Sequence, residues 1–226
     1  MPEKGGSWNV KASWAGDEEH NGAESPLASF TVEEKGGPCL IATATYGSEL
    51  TPEVQFLRSF RDQEILSTFA GSQFMNVFNT WYYSFSPYVA SFIADKPVIR
   101  NVLKAALYPL IGILHLSSAT YTVFGFNEEL GVVMAGLVAS SLIGIVYFSP
   151  LITISLIVIK RHKKSILNLR KLKPLLIPLV MSLGLIYIGE IAGAPIIMMA
   201  TTGAFVVLTA MLSAMTIALK VVQRLL

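Results

Sequence analysis

Cys39 is the one cysteine among 226 residues, and its thiol is the most nucleophilic group the sequence offers. A catalytic thiol needs a base within hydrogen-bond reach. The histidines His20, His115 and His162 occupy three unlike settings. The ordinary alternative is a small buried thiol packing beside Tyr46. Lipidation would require an apolar segment ahead of the cysteine, and Val32-Glu33-Glu34-Lys35-Gly36-Gly37-Pro38 is polar. With a single cysteine no internal disulfide can form. Glu190 is the only acid after Glu129, and an ionisable group at membrane depth marks a functional site by default. Gly189, Gly193 and Pro195 around it could supply the irregular backbone of a transport site. The same residues also describe an outer turn whose carboxylate sits in water.

A third group of chemically distinct residues is basic. Lys160, Arg161, Lys163, Lys164, Arg170, Lys171 and Lys173 put seven cations into fourteen residues with no acid among them. Such a loop is retained in the cytoplasm and can touch anionic headgroups. It lacks the aromatic residues that stack on bases, so nucleic acid is the poorer partner. No glycine-rich phosphate loop, paired-carboxylate site, Cys/His zinc site or Ser/His/Asp set is present. No catalytic residue, cofactor, metal or small-molecule substrate is therefore expected.

The elements that must position these residues divide by charge. Up to Arg100 the chain has seven Lys/Arg against twelve Asp/Glu, and beyond it ten against three. With 53% hydrophobic and 14% charged residues overall, the composition is too apolar for one soluble domain of this size. Residues 102–124 are long enough for a span but contain Lys104, Pro109 and His115, so an interfacial helix is a rival reading. Residues 130–159 carry no charge, and Ser149-Pro150 predicts a kink within one crossing. Gly136, Ser140 and Gly144 fall four apart on one face, a packing seam for another helix. Residues 174–189 and 195–219 predict two further helices joined by the Gly189–Pro195 turn. The region 102–226 thus predicts three or four membrane helices.

The first hundred residues read as a small water-facing part. No apolar core of a secretion signal is visible near the start, so insertion by the later spans, or descent from a longer parent, is expected. Ser7–Trp14 alternates like a strand, Gly16-Asp17-Glu18-Glu19 is a turn, and Ser29-Phe30-Thr31-Val32 is a second strand. Over residues 1–37 this pattern, with Trp14, Gly16-Asp17 and Gly22-Ala23, resembles the closing strands of a bacterial or archaeal Ig-like repeat. That resemblance implies an external N-terminus.

Thr51-Pro52-Glu53 reads as a helix start with a capping hydroxyl, a first-turn proline and an acid. The helix should run to about Thr68, after a small, buried segment from Cys39 to Tyr46. A second helix is expected through Phe74, Phe78, Trp81, Tyr82 and Tyr83, a third from Ser86-Pro87, and a fourth from Lys96-Pro97. The aromatic stretch Trp81–Tyr88 suits a helical hairpin resting on a membrane or a small aromatic core.

The run Cys39-Leu40-Ile41-Ala42-Thr43-Ala44-Thr45-Tyr46-Gly47-Ser48, followed by Pro52–Asp62 and continuing through Tyr82–Pro87 and Phe92-Ile93-Ala94 to Arg100, resembles the CFI-box C-terminal domain family. Leu40 replaces the family's usual phenylalanine and Thr45 its common alanine. The resemblance implies a membrane-attached C-terminal module over residues 38–101 and carries no chemistry.

The expected fold class is mainly α, a polytopic helical membrane protein with a small helical water-facing module and a short N-terminal β-hairpin-like segment. The expected role is a non-enzymatic anchor or assembly module. It would lie in a bacterial or archaeal plasma membrane with residues 160–173 in the cytoplasm. Its partners would be the lipid bilayer and other membrane chains. A transporter or channel component using Glu190 is the alternative, and a thiol enzyme at Cys39 the third reading.

Overall fold

A computed structural model describes residues 6–32, 38–162 and 169–225. Contacts divide the chain into two units, Met1–Pro38 and Cys39–Leu226.

In the first unit β1 (Gly6–Val10) pairs antiparallel with β4 (Ala28–Val32), and β2 (Ser13–Gly16) with β3 (Asn21–Glu24). The strand expected over Ser7–Trp14 is thus broken in two. At the break Ala12 N–H donates to Ser25 Oγ at 2.9 Å, and Ser25 N–H donates to the Ala12 carbonyl at 2.8 Å. The turn falls where Gly16-Asp17 predicts it. Gly16 has φ +88°, and the Asp17 carboxylate accepts from Glu19 and His20 N–H at 3.0 and 2.8 Å. Val10, Trp14 and Leu27 stay exposed.

The second unit is helical. The small, apolar Leu40–Tyr46 forms α1, closed by Gly47 in the left-handed conformation that glycine tolerates best. Next comes α2 (Pro52–Ser59), prolonged by a π turn over Phe60–Ile65. Pro52 and Glu53 sit in its first turn as expected, but the Thr51 hydroxyl does not cap it. That hydroxyl donates instead to the Ser48 carbonyl at 3.1 Å. The aromatic stretch expected as two helices is one, α3 (Phe69–Ala94), which passes through Pro87. A proline deletes one helical hydrogen bond. Ser86 and Ile93 on either side of it are buried, and the helix continues to Ala94.

Beyond it run α4 (Pro97–Val123), α5 (Glu128–Ile143), a π turn (Gly144–Phe148), α6 (Ser149–His162), a 3₁₀ segment (Leu169–Leu175), α7 (Leu176–Ile191) and α8 (Pro195–Leu225). The α5 to α6 path stays continuous past Pro150, with the irregularity confined to the π turn just before it. Four helical stretches are long and apolar enough to cross a membrane: Pro97–Val123, Glu128–Ile159, Leu172–Ile191 and Pro195–Leu225.

One apolar cluster ties the helices together. Ala70, Val132, Ile186, Met198 and Phe205 are buried against one another, with Phe69 and Tyr121 packed on them. The starts of α3, α5 and α8 therefore meet the ends of α4 and α7, so successive long helices alternate in direction. The stretch from Cys39 to Arg100 belongs to this same helical unit.

Candidate functional site

The residues around Cys39 converge from three elements. Cys39 precedes α1, and the Ile41 N–H just after it donates to the Tyr82 hydroxyl of α3 at 3.0 Å. From the π turn, Arg61 brings Nη1 to 3.7 Å from Cys39 Sγ. The same guanidinium donates from Nε and Nη2 to the two Asp62 carboxylate oxygens at 2.7 and 3.2 Å. One turn earlier Arg58 pairs with Glu49 at 3.0 Å. Burial pushes the Cys39 thiol up from its ordinary value, and the Arg61 and Arg58 charges offset only part of that. A raised pKa keeps the thiol protonated at neutral pH and unreactive. No histidine is seen to serve it as a base. His20 lies in the other unit beside Asp17, His115 stacks on Phe56 with ring centroids 3.6 Å apart, and the His162 side chain lies outside the described residues.

A second arrangement gives no sequence signal. The Glu129 carboxylate, at the start of α5, accepts from the Phe69 and Ala70 N–H groups at the start of α3, the latter at 3.0 Å. Thr68 Oγ1 adds a cap by accepting from Gly71 N–H at 3.1 Å. An acid at a helix N-terminus satisfies orphan donors and meets the positive end of the dipole. Nearby the Ser118 hydroxyl of α4 donates to Glu64 at 2.6 Å. Both acids act across elements, locking α3 and the π turn ahead of it to α4 and α5.

The remaining sequence candidates are dispersed. Glu190 is exposed in the last turn of α7, ahead of the Ala192–Ala194 turn. Of the expected seam, Gly144 makes a close approach. A Cβ there would lie 2.3 Å from both the Ala210 carbonyl oxygen and Ser213 Oγ of α8. Ser140 is buried and its hydroxyl donates to the Gly136 carbonyl at 2.7 Å, while Gly136 itself faces open space. Lys173 is exposed in the 3₁₀ segment. The side chains of Lys160, Arg161, Lys163, Lys164, Arg170 and Lys171 lie outside the described residues.

Among the described residues no three His, Cys, Asp or Glu side chains gather as a metal site. Comparison with protein-family models, curated proteins and solved structures finds no match to this chain.

Proposed function

We propose that this chain is a multi-pass protein of a bacterial or archaeal plasma membrane, serving as a non-enzymatic anchor or assembly module for other membrane chains. One observation carries the reading: the outward sides of the four long helices are apolar and exposed. Leu151, Ile154, Ile177, Val180, Ile188 and Ile196 are all more than half exposed, up to 82% at Ile196. Apolar surface on that scale is covered by lipid or by other apolar helices.

Charge supports an orientation. Lys96, Arg100 and Lys104 lie where α4 begins, Lys160 and Arg161 in the last turn of α6, Lys173 just ahead of α7, and Lys220 and Arg224 near the end of α8. Glu128, Glu129 and Glu190 mark the opposite end. The basic end then faces the cytoplasm. Gly112, Gly136 and Gly184 face open space and offer smooth strips where a partner helix could approach closely. The N-terminal strands offer backbone edges to a partner sheet. The exposed position of Glu190 and the protonated thiol of Cys39 favour anchoring over transport or thiol chemistry.

The reading is tested by expressing the tagged chain in bacteria and washing the membranes with alkaline carbonate. Retention in the pellet, extraction by detergent alone and co-purification of a defined membrane partner are expected, with Glu190→Gln and Cys39→Ser at normal abundance. Release into the carbonate supernatant overturns it.

A further inference from the structure

We infer that the cleft at the start of α4 binds the phosphate headgroup of an anionic phospholipid from the cytoplasmic leaflet. This rests on the crossing and orientation of α4 proposed above. Lys96, Arg100 and Lys104 recur every four residues, so they share one side of the helix over its first two turns. On that side Pro97, Arg100, Asn101 and Lys104 line an open cleft of about 230 Å³.

The three cations are held in place by neutral groups, so their charge is positioned without being cancelled. Lys96 Nζ lies 3.2 Å from the centroid of the Phe92 ring, and Lys104 Nζ 5.8 Å from that of Tyr46. Arg100 Nε donates to the Thr45 carbonyl in a long contact of 3.5 Å, which uses one of the five N–H donors of a guanidinium. Gly47 makes room for it, since a Cβ there would collide with Arg100 Nη2. Among the described residues no carboxylate forms an ion pair with any of the three. That includes Asp95, the only acid between Glu64 and Glu128. The first turn of α4 contains no acid, and the positive end of its dipole adds to the field.

Depth selects the ligand. The stretch from Ala105 to Val123 holds no Lys, Arg, Asp or Glu, and at ~1.5 Å per residue it is about 28 Å long, close to the ~30 Å of hydrocarbon. The turns ahead of it, which carry the cleft, then lie level with the lipid phosphates. Tyr108, one turn beyond Lys104, is 79% exposed and continues the same side toward the acyl chains. Guanidinium and ammonium donors suit phosphate oxygens, and the Asn101 amide adds neutral ones. Orienting a helix requires only positive charge on the cytoplasmic side. An arginine seated on the end of α1 exceeds that requirement and fits recognition of a fixed anion.

The test uses the full chain purified in a mild detergent, with bound lipid counted by native mass spectrometry. Phosphatidylglycerol is added to the wild type, to Arg100→Gln and Lys104→Gln, and to Lys220→Gln as a control outside the cleft. Phosphatidylcholine and inorganic phosphate are the comparison ligands. The wild type and Lys220→Gln should retain phosphatidylglycerol in preference to phosphatidylcholine, and Arg100→Gln and Lys104→Gln should bind it about tenfold more weakly. Melting without added lipid reports folding. Lys104 is exposed, so Lys104→Gln decides the matter where Arg100→Gln fails to fold. Equal retention of phosphatidylcholine, or an equal loss in Lys220→Gln, overturns the site. Displacement by inorganic phosphate overturns the lipid in favour of a soluble anion. Release of the protein by carbonate removes the membrane reading and the lipid together, whereas a carbonate-resistant protein that retains no phosphatidylglycerol removes the site alone.

Discussion

Two guanidinium groups beside a thiol ordinarily favour the thiolate, yet at Cys39 burial outweighs the Arg61 and Arg58 charges, and the nearby Asp62 carboxylate adds to the upward shift. The folded pKa is therefore raised above the unfolded one. Below the ordinary thiol range both states hold the proton. As pH rises through that range the unfolded thiol ionises first, and stability falls. Iodoacetamide alkylation of the detergent-solubilised protein should accordingly show a pH midpoint above that of the denatured chain; a midpoint below it would refute the burial argument. Glu129 works in the opposite sense, as a charge that is used. Glu129→Gln should cost about 1–2 kcal/mol by weakening the charged contact to the start of α3. The readout is a lower melting temperature in detergent, with little change for the exposed Glu128→Gln. Cys39 stands out in the sequence because it is unique. Glu129 does not, because its partners are backbone groups 59 and 60 residues away, and no local pattern encodes them.

Elements were legible where the code is local. Pro52, Glu53 and the Lys96-Pro97 start lie where the sequence places them, and Gly189–Pro195 ends one long helix and begins another. What local rules misjudged was the reach of tertiary packing. Ser86-Pro87 reads as the start of a separate helix, yet α3 passes through it without ending. Gly136, Ser140 and Gly144 read as one seam, but only the packing against α8 decides which glycine meets it. Gly144→Ala should therefore destabilise by about 1–3 kcal/mol, since the added methyl meets a carbonyl oxygen that cannot move freely. Gly136→Ala, in open space, should be neutral or stabilising by up to about 1 kcal/mol through helix propensity. Thermal unfolding in detergent separates the two, and equal effects would remove the special role of Gly144.

On the scale of the whole molecule the change in composition near Arg100 is less informative than the division at Pro38. Charge alone divides a water-facing half from an apolar half, whereas the contacts gather residues 39–226 into one helical unit that includes the acidic and aromatic stretch before Arg100. The sequence hides this because α3 mixes aromatic and small polar residues, of which Ser72, Thr80, Ser84 and Ser91 bond their hydroxyls to carbonyls within the helix. The two units should then differ in independence. Four strands of four or five residues pair only as two two-stranded sheets, with Val10, Trp14 and Leu27 exposed, and two-stranded sheets do not stand alone in water. A peptide of residues 1–38 should give no cooperative unfolding and a largely unordered circular dichroism spectrum. A chain lacking residues 1–38 should insert, resist carbonate and melt within about 2–4 °C of the full protein, a shift that corresponds to no more than ~1 kcal/mol. Loss of insertion on that deletion would mean that the strands support the helical body directly. Retention would leave them free to add to the sheet edge of a partner, as the proposed anchoring role would use them.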